Sequence, residues 1–360
     1  MRIVQLIDSL EAGGAERMAV NYANTLLSYT KFSGLVVTRK EGLLKDKVKS
    51  DVGYLFLNRK KTLDFKAILS LRNFLIANKV THIQAHSSSF FMAVIAKIFI
   101  PDLKIIWHDH YGKAEQLNDR SYFLLKLFSL FFYRIISVNQ ILKNWAEQKL
   151  WCSKVTYLPN FVMFEKEIED PFELKGVEGK RIICLANLRP QKNHDMLIDI
   201  AYEIAQEFPE WSFHFVGQDN NDDCSQKIRD KIREFELEDN VFIYGSVSSV
   251  QTVVEQCQIG VLSSVSEGLP LTLLEYGKAS LPVVVTAVGE IPSIINENNG
   301  FCVSSGDKYA FSQGLKQLIN DEILRRKLGE HLKNKVETEF GVKNIMANFI
   351  SFVNHGRTSI

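Results

Sequence analysis

Short runs rich in Ile, Val and Leu recur along the whole chain, separated by longer segments whose apolar residues return every three or four positions. The runs at 2–8, 34–38, 52–57, 81–85, 104–107, 134–138 and 154–158 have the length and β-branched content of buried strands. A second set occupies 181–185, 212–216, 240–244, 259–262, 282–286 and 300–303. Strands that alternate with helices pair in parallel, because the helix is the crossover that returns the chain to the same end of the sheet. Each set therefore predicts an α/β fold with a doubly wound parallel sheet. At 360 residues the chain is too long for one ordinary core. The charged, aperiodic stretch 161–180 reads as the linker, giving domains at 1–163 and 164–341.

Composition removes several classes of function. A formal net charge of +1 argues against a nucleic-acid binder, which would carry a basic excess. The five cysteines, Cys152, Cys184, Cys224, Cys257 and Cys302, form no CxxC pair, so neither a disulfide framework nor a zinc ribbon is indicated and a reducing compartment is expected. The first apolar run ends at Asp8, too soon for a signal peptide, so the mature chain is expected to start at Met1. No stretch approaches the ~20 apolar residues of a membrane span.

In open α/β sheets ligands bind beyond the carboxyl ends of the strands, so the turns that follow the runs are where function is sought. The turn at 266–277 carries two acids, Glu267 and Glu275, on either side of Pro270. Proline favours the start of a helix, which puts Glu267 in the loop and Glu275 inside the helix. The helix N-terminus offers free N–H groups to an anion through Leu271 and Thr272. Two carboxylates beside an anion site suit a ligand with both phosphates and hydroxyls, such as a nucleotide sugar. The plainer alternative is a solvated loop acid and a helix acid placed by the macrodipole. The turn after 181–185 holds Arg189 and Lys192, two cations three residues apart ahead of a helix, which is either a second anion site or a solvated loop.

Three further turns stand out. Gly13 and Gly14 follow the first run, where they either let backbone N–H groups approach a ligand or supply a positive φ. His86 precedes serines at 87–89 placed to cap the next helix, and His108-Asp109-His110 ends the run at 104–107. The latter resembles a metal ligand set, but no third donor lies at zinc spacing, so these histidines are read as hydrogen-bonding groups for a sugar or acceptor and no metal is expected. The segment from Ser121 to Tyr133 is heavily aromatic, with Arg120, Lys126 and Arg134 in and beside it. It is either a buried helix of the α/β pattern or a membrane-surface face.

Taken in order, Gly13-Gly14, Arg189 with Lys192, and Glu267 with Glu275 in E-x7-E spacing around Gly268-Leu269-Pro270 resemble the retaining glycosyltransferases of the GT-B fold, family 4 (the glycosyl transferases group 1). The resemblance covers nearly the whole chain and implies two Rossmann-like domains facing a cleft. It implies that Glu267 lies against the donor sugar, Glu275 holds the ribose, Arg189 and Lys192 neutralise the diphosphate, and Val247 meets the base. Gly13-Gly14 would be the N-terminal glycine loop and His108 or His110 the acceptor-side histidine, with His86 beside them. The final segment 342–360 would pack back on the first domain. The activity implied is transfer of a hexose-type sugar from a nucleoside-diphosphate sugar, a UDP-sugar first among candidates, to a glycan or lipid-linked hydroxyl. Such bacterial relatives build surface polysaccharide (capsule, exopolysaccharide or O-antigen) in the cytoplasm or peripherally on the inner face of the membrane.

The chemistry agrees with that implication. Breaking the bond to the diphosphate builds negative charge that Arg189, Lys192 and helix N–H groups can stabilise without a metal or other cofactor. A retaining glycosidase would need two carboxylates ~5 Å apart around the sugar, and Glu275 lies too far along its helix for that, which favours same-face attack. A nucleotide-sugar epimerase, a Rossmann dehydrogenase and a non-catalytic sugar-nucleotide sensor are the rival readings; the absence of GxGxxG after the first run counts against the dehydrogenase.

Overall fold

The computed structural model describes residues 1–11, 13–112, 117, 119–163, 172–247 and 249–355. It divides into two compact units, Met1–Phe161 with Val342–Ile360, and Val162–Gly341. The part of the expected linker at 164–171 lies outside the described residues. The part at 172–180 is not free linker: Leu174 is buried, and Arg181 donates to the carbonyls of Leu174, Lys175 and Gly176, docking this stretch on the second unit.

The first unit is built on β1 (Arg2–Ser9), β2 (Phe32–Lys40), β3 (Gly53–Phe56), β4 (His82–His86), β5 (Lys104–Asp109), β6 (Phe132–Ser137) and β7 (Val155–Tyr157). They form one parallel sheet in the order β3-β2-β1-β4-β5-β6-β7. Both faces are covered. Ala19, Val20 and Ala23 of the helix Gly14–Leu26 pack on Ile7, Leu35 and Val37. The opposite face takes Ile68, Leu71 and Leu75 of the helix Phe65–Ala77 and Met92, Ala93 and Ala96 of the helix Phe90–Phe99, all against Val4, Leu6, Ile83 and Ile105. The helix Val342–His355 joins this unit, with Phe349 5.1 Å from Tyr22 and the Val353 carbonyl accepting from Arg134.

The aromatic segment departs from expectation. Only a short helix, Phe123–Phe128, and a 3-10 turn, Ser129–Phe131, precede β6, and apart from Leu125 and Ser129 their side chains are not buried. Phe123 is 71% and Leu130 64% exposed, so a buried helix is ruled out. Two of the three cations are unavailable to a surface: Arg134 is buried, and Arg120 is held by Asp109 at 2.7 and 2.8 Å. The neighbouring serines also differ from their expected role. Ser89 makes no cap bond and donates instead to Leu6 O and His86 O, while Ser88 donates to Asp8.

The second unit carries β8 (Arg181–Leu185), β9 (Ser212–Val216), β10 (Val241–Gly245), β11 (Ile259–Leu262), β12 (Val283–Thr286) and β13 (Phe301–Val303), in the parallel order β10-β9-β8-β11-β12-β13. An apolar cluster lies beneath the helices His194–Glu207, Asp223–Glu234 and Lys308–Asn320. On the other face the helix Leu271–Lys278 lies flat on the sheet because β11 has a glycine beneath it: a Cβ at Gly260 would stand 2.6 Å from the Tyr276 ring. Among the described residues no helix is long and apolar enough to cross a membrane.

Candidate active site

Strand order reverses direction at one place in each sheet, and the loops that leave the strands there diverge to open a crevice. In the second unit this place is between β8 and β11. The two loops that flank it carry Arg189 with Lys192 and Glu267, so the fold brings to one point what the sequence separates by 75 residues.

The β8 loop reaches a short turn, Pro190–Lys192, and enters its helix through Asn193, whose left-handed φ of 52° a residue of its type tolerates. The β11 loop lies against it. Val265 N donates to Gln191 O at 2.9 Å, and Ser263 Oγ to Lys192 O at 2.8 Å. Lys192 Nζ meets Glu267 Oε1 at 2.5 Å, and Ser264 Oγ donates to the same oxygen at 2.6 Å. Thr286 Oγ1 in turn donates to Ser264 O at 2.6 Å. Glu267 is 7% exposed, so it is not a solvated loop acid. Arg189, by contrast, is exposed and extended at φ −132°.

Pro270 stands one residue before the helix, at its N-cap. Glu275 lies inside that helix and is also 7% exposed, which excludes a merely dipole-placed surface acid. The helix is pinned by Tyr276, whose hydroxyl accepts from Leu185 N at 2.7 Å and donates to Ile183 O at 2.9 Å. Thr272 Oγ1 donates to Leu185 O at 2.8 Å, so the donor this residue offers an anion is its N–H and not its hydroxyl; Leu271 beside it is buried. Gly289, from the loop after β12, has φ +56°, and a Cβ there would meet Glu267 O at 2.3 Å. Only glycine fits. Val247 follows Gly245, whose φ of +71° turns the chain out of β10, and is partly buried.

In the first unit the reversal is between β1 and β4. Gly13 there is extended (φ −140°) and caps its helix, and neither it nor Gly14 has a positive φ, so the turn explanation fails. A Cβ at Gly13 would collide with the Glu16 carboxylate, which folds back on it. The fold also supplies the third donor that sequence spacing did not. His86 pairs in register with His108 across β4 and β5, and His110 lies two residues on, so all three imidazoles gather on one face. One ring nitrogen of each lies within 4.8 Å of the others. Asp109 points away, into Arg120. His86 and His108 are fully buried and His110 partly exposed, so of the two candidates for the acceptor side His110 is the accessible one. Burial holds all three neutral, His110 down to about 3.

Sequence reading passed over Gln5, Gln84, Ser264, Tyr276 and Gly289. The two glutamines had a visible signal, a polar side chain inside an otherwise apolar strand, since such a group is buried only with a partner. Gln5 Oε1 accepts from His86 Nε2 at 2.8 Å, and Gln84 faces His108 Nδ1 at 2.9 Å.

Residues 165–335 match the family described as "Glycosyl transferases group 1". The putative glycosyltransferase EpsD of Bacillus subtilis is 30% identical over 150 residues, 41% of this chain and 39% of that one. The UDP-Gal:alpha-D-GlcNAc-diphosphoundecaprenol alpha-1,3-galactosyltransferase of Escherichia coli is 23% identical across 94% of this chain and 92% of its own length. The alignments with six further curated relatives are shorter, spanning 30% to 55% of those proteins. Among solved structures, HepE of Anabaena in complex with UDP and glucose superposes with a TM-score of 0.80 at 17% identity, over 99% of this chain and 100% of that one.

Proposed function

We propose that this chain, whose residues 165–335 match the glycosyl transferases group 1 family, is a retaining, metal-independent hexosyltransferase using a UDP-sugar. The observation that carries this reading is the Lys192–Glu267 pair at the strand-order reversal, with exposed Arg189 beside it and the first turn of the helix Leu271–Lys278 next in line. Before donor arrives, the lysine and the buried glutamate neutralise each other. When a diphosphate enters, Lys192 exchanges one anion for another, and the freed Glu267 carboxylate faces the sugar. Positive charge develops at the anomeric carbon and negative charge on the departing phosphate, so the two residues separate onto the two charges of the transition state. Arg189 adds a planar fork that can grip two phosphate oxygens, and Glu275 takes the ribose hydroxyls. The role of meeting the base is assigned to Val247, in the turn that follows β10. The acceptor hydroxyl attacks from the face the phosphate leaves, and its proton passes to the departing phosphate oxygen.

The galactosyltransferase of Escherichia coli, whose name gives UDP-Gal as donor and a diphosphoundecaprenol-linked sugar as acceptor, supports a UDP-sugar donor and a lipid-linked acceptor here. The experiment is a panel of UDP, GDP, dTDP and ADP read by thermal shift without divalent cation, followed by product analysis with labelled UDP-hexoses. A hundredfold excess of UDP over its Kd should stabilise by about 2.7 kcal/mol. Product should carry the donor's anomeric configuration. Stabilisation by UDP that appears only with Mg²⁺, or recovery of an epimerised donor with no transfer, would overturn the reading.

A lipid-linked acceptor requires the first unit to approach a bilayer. We place that contact at the segment 120–134, through Phe123, Leu124, Leu130 and Phe131 with Lys126, rather than through the two internally engaged arginines. Ile98 and Phe99, at the end of the helix Phe90–Phe99, are also exposed. An open groove of about 400 Å³ lies between Tyr122, Phe123, Lys126 and Trp151. Replacing Phe123, Leu124 and Leu130 by Ser should weaken co-sedimentation with anionic vesicles about tenfold or more, since each inserted side chain is worth on the order of 1 kcal/mol or more. Equal sedimentation of variant and parent would discard this surface.

A further inference from the structure

We propose that His86, His108 and His110 form a mononuclear site for a divalent transition metal, with zinc the best match to its ligand chemistry and a fourth position open to an oxygen ligand. Three observations converge on it. Strand register sets His86 beside His108, and the two-residue period of the chain adds His110 to the same face. Three imidazoles bound to one ion at ~2.1 Å would have ring centres roughly 5 Å apart. The His86–His108 and His86–His110 separations are already 5.1 and 5.2 Å, while His108 and His110 at 4.0 Å need to part by about 1 Å. His110 lies beyond the end of β5, outside the strand pairing that fixes His86 against His108.

The second observation is an orphan. Nε2 of His108 is fully buried and has no hydrogen-bond partner. A buried polar atom left unsatisfied is costly enough that native structures rarely keep one without a reason. A hydrogen-bonded chain of imidazoles accounts for His86 Nδ1 and His110 Nε2, which are 3.0 Å apart, but leaves that third nitrogen unmatched. One ion satisfies all three.

The third is the outer shell. Metal-bound histidines generally donate their other ring N–H to an oxygen, which fixes the tautomer and aims the lone pair at the ion. Gln5 Oε1 does this for His86 Nε2, turning Nδ1 inward. Gln84 stands at His108 Nδ1, and its own Oε1 lacks a partner; a 180° turn of that amide would place the oxygen on Nδ1 and aim Nε2 inward. Burial keeps the three rings neutral, the form a metal binds. Three neutral ligands leave the ion's charge uncompensated, so the open position favours hydroxide, a hydroxyl or another anionic oxygen.

The test uses tag-free full-length protein, stripped by chelator and titrated with Co²⁺, then with competing Zn²⁺. The expected result is one equivalent bound, visible absorption of four- or five-coordinate cobalt, and its loss as zinc displaces it. His108→Ala should weaken Co²⁺ binding by roughly a hundredfold or more while UDP still raises the thermal midpoint. Should that variant fail to fold, partly exposed His110→Gln gives the same reading. Absence of the cobalt spectrum together with sub-stoichiometric zinc in the purified protein, or unchanged binding in the variants, would overturn the proposal. Because the deciding readouts are metal binding and UDP serves only as the check on folding, failure here is independent of the transfer reaction.

Discussion

Glu267→Gln is expected to lower sugar transfer at least a hundredfold while leaving UDP binding within a few fold of the parent. The amide keeps the shape and the Ser264 bond but removes the charge, and a preorganised charge aimed at the reacting centre is commonly worth two to three orders of magnitude in kcat. Lys192 loses its counter-ion in this variant and is left with the diphosphate as its remaining anionic partner, so nucleotide affinity has no reason to fall. Glu275→Ala should do the reverse. A charge-assisted hydrogen bond to a ribose hydroxyl is worth about 1.5–3 kcal/mol, so UDP should bind roughly ten- to a hundredfold more weakly. Calorimetry for UDP and single-turnover transfer on both variants read the two effects separately. Parental turnover in Glu267→Gln, or parental UDP affinity in Glu275→Ala, would reverse the roles assigned to them.

The metal-free protein should be stable from neutral to mildly alkaline pH and unfold on acidification well above the range where carboxylates titrate. Among the described residues six histidines have pKa values pressed down, burial being the largest cause for each: His82 and His194 to about 4, His110 and His214 to about 3, and His86 and His108 well below the usual value. The sign follows from proton counting. Above the unfolded value of about 6.5 neither state is protonated at these sites and stability is at its full level. As pH falls below that value the unfolded chain takes up protons that the native chain refuses, so stability drops by up to about 1.4 kcal/mol per histidine per pH unit until the native values are reached. Four of the six, His82, His86, His108 and His110, sit in the first unit and two in the second. Hence the first unit should open first. Trp107, Trp145 and Trp151 report on it and Trp211 on its neighbour, so urea titrations followed by fluorescence of single-tryptophan forms between pH 8 and 4.5 resolve the order. A flat response down to pH 5, or earlier loss of the second unit, would contradict this.

The pattern of apolar runs by itself determined that the chain makes two parallel α/β sheets, since short β-branched runs alternating with helical segments allow few other arrangements. It also located every strand that the two sheets contain, and the turns where the candidate residues lie, because placement after a strand is a property of the chain order. Local chemistry was legible too: Glu267 before a helix, Glu275 within it, cations after β8. What the sequence did not determine was which groups meet. Lys192 and Glu267 are separated by the whole of β9, β10 and their helices, and only the strand order β8-β11 makes them neighbours. His86 joins His108 and His110 through register across β4 and β5, which no spacing rule along the chain encodes. Burial decided the rest. The sequence left the segment 120–134 open between a buried helix and a surface face; Asp109 and the returning helix Val342–His355 engage Arg120 and Arg134, while Phe123 and Leu130 stay exposed. The physical reason is the same throughout: periodicity is a local property that specifies elements, whereas contact, charge pairing and exclusion of water arise only when elements distant in sequence are laid side by side.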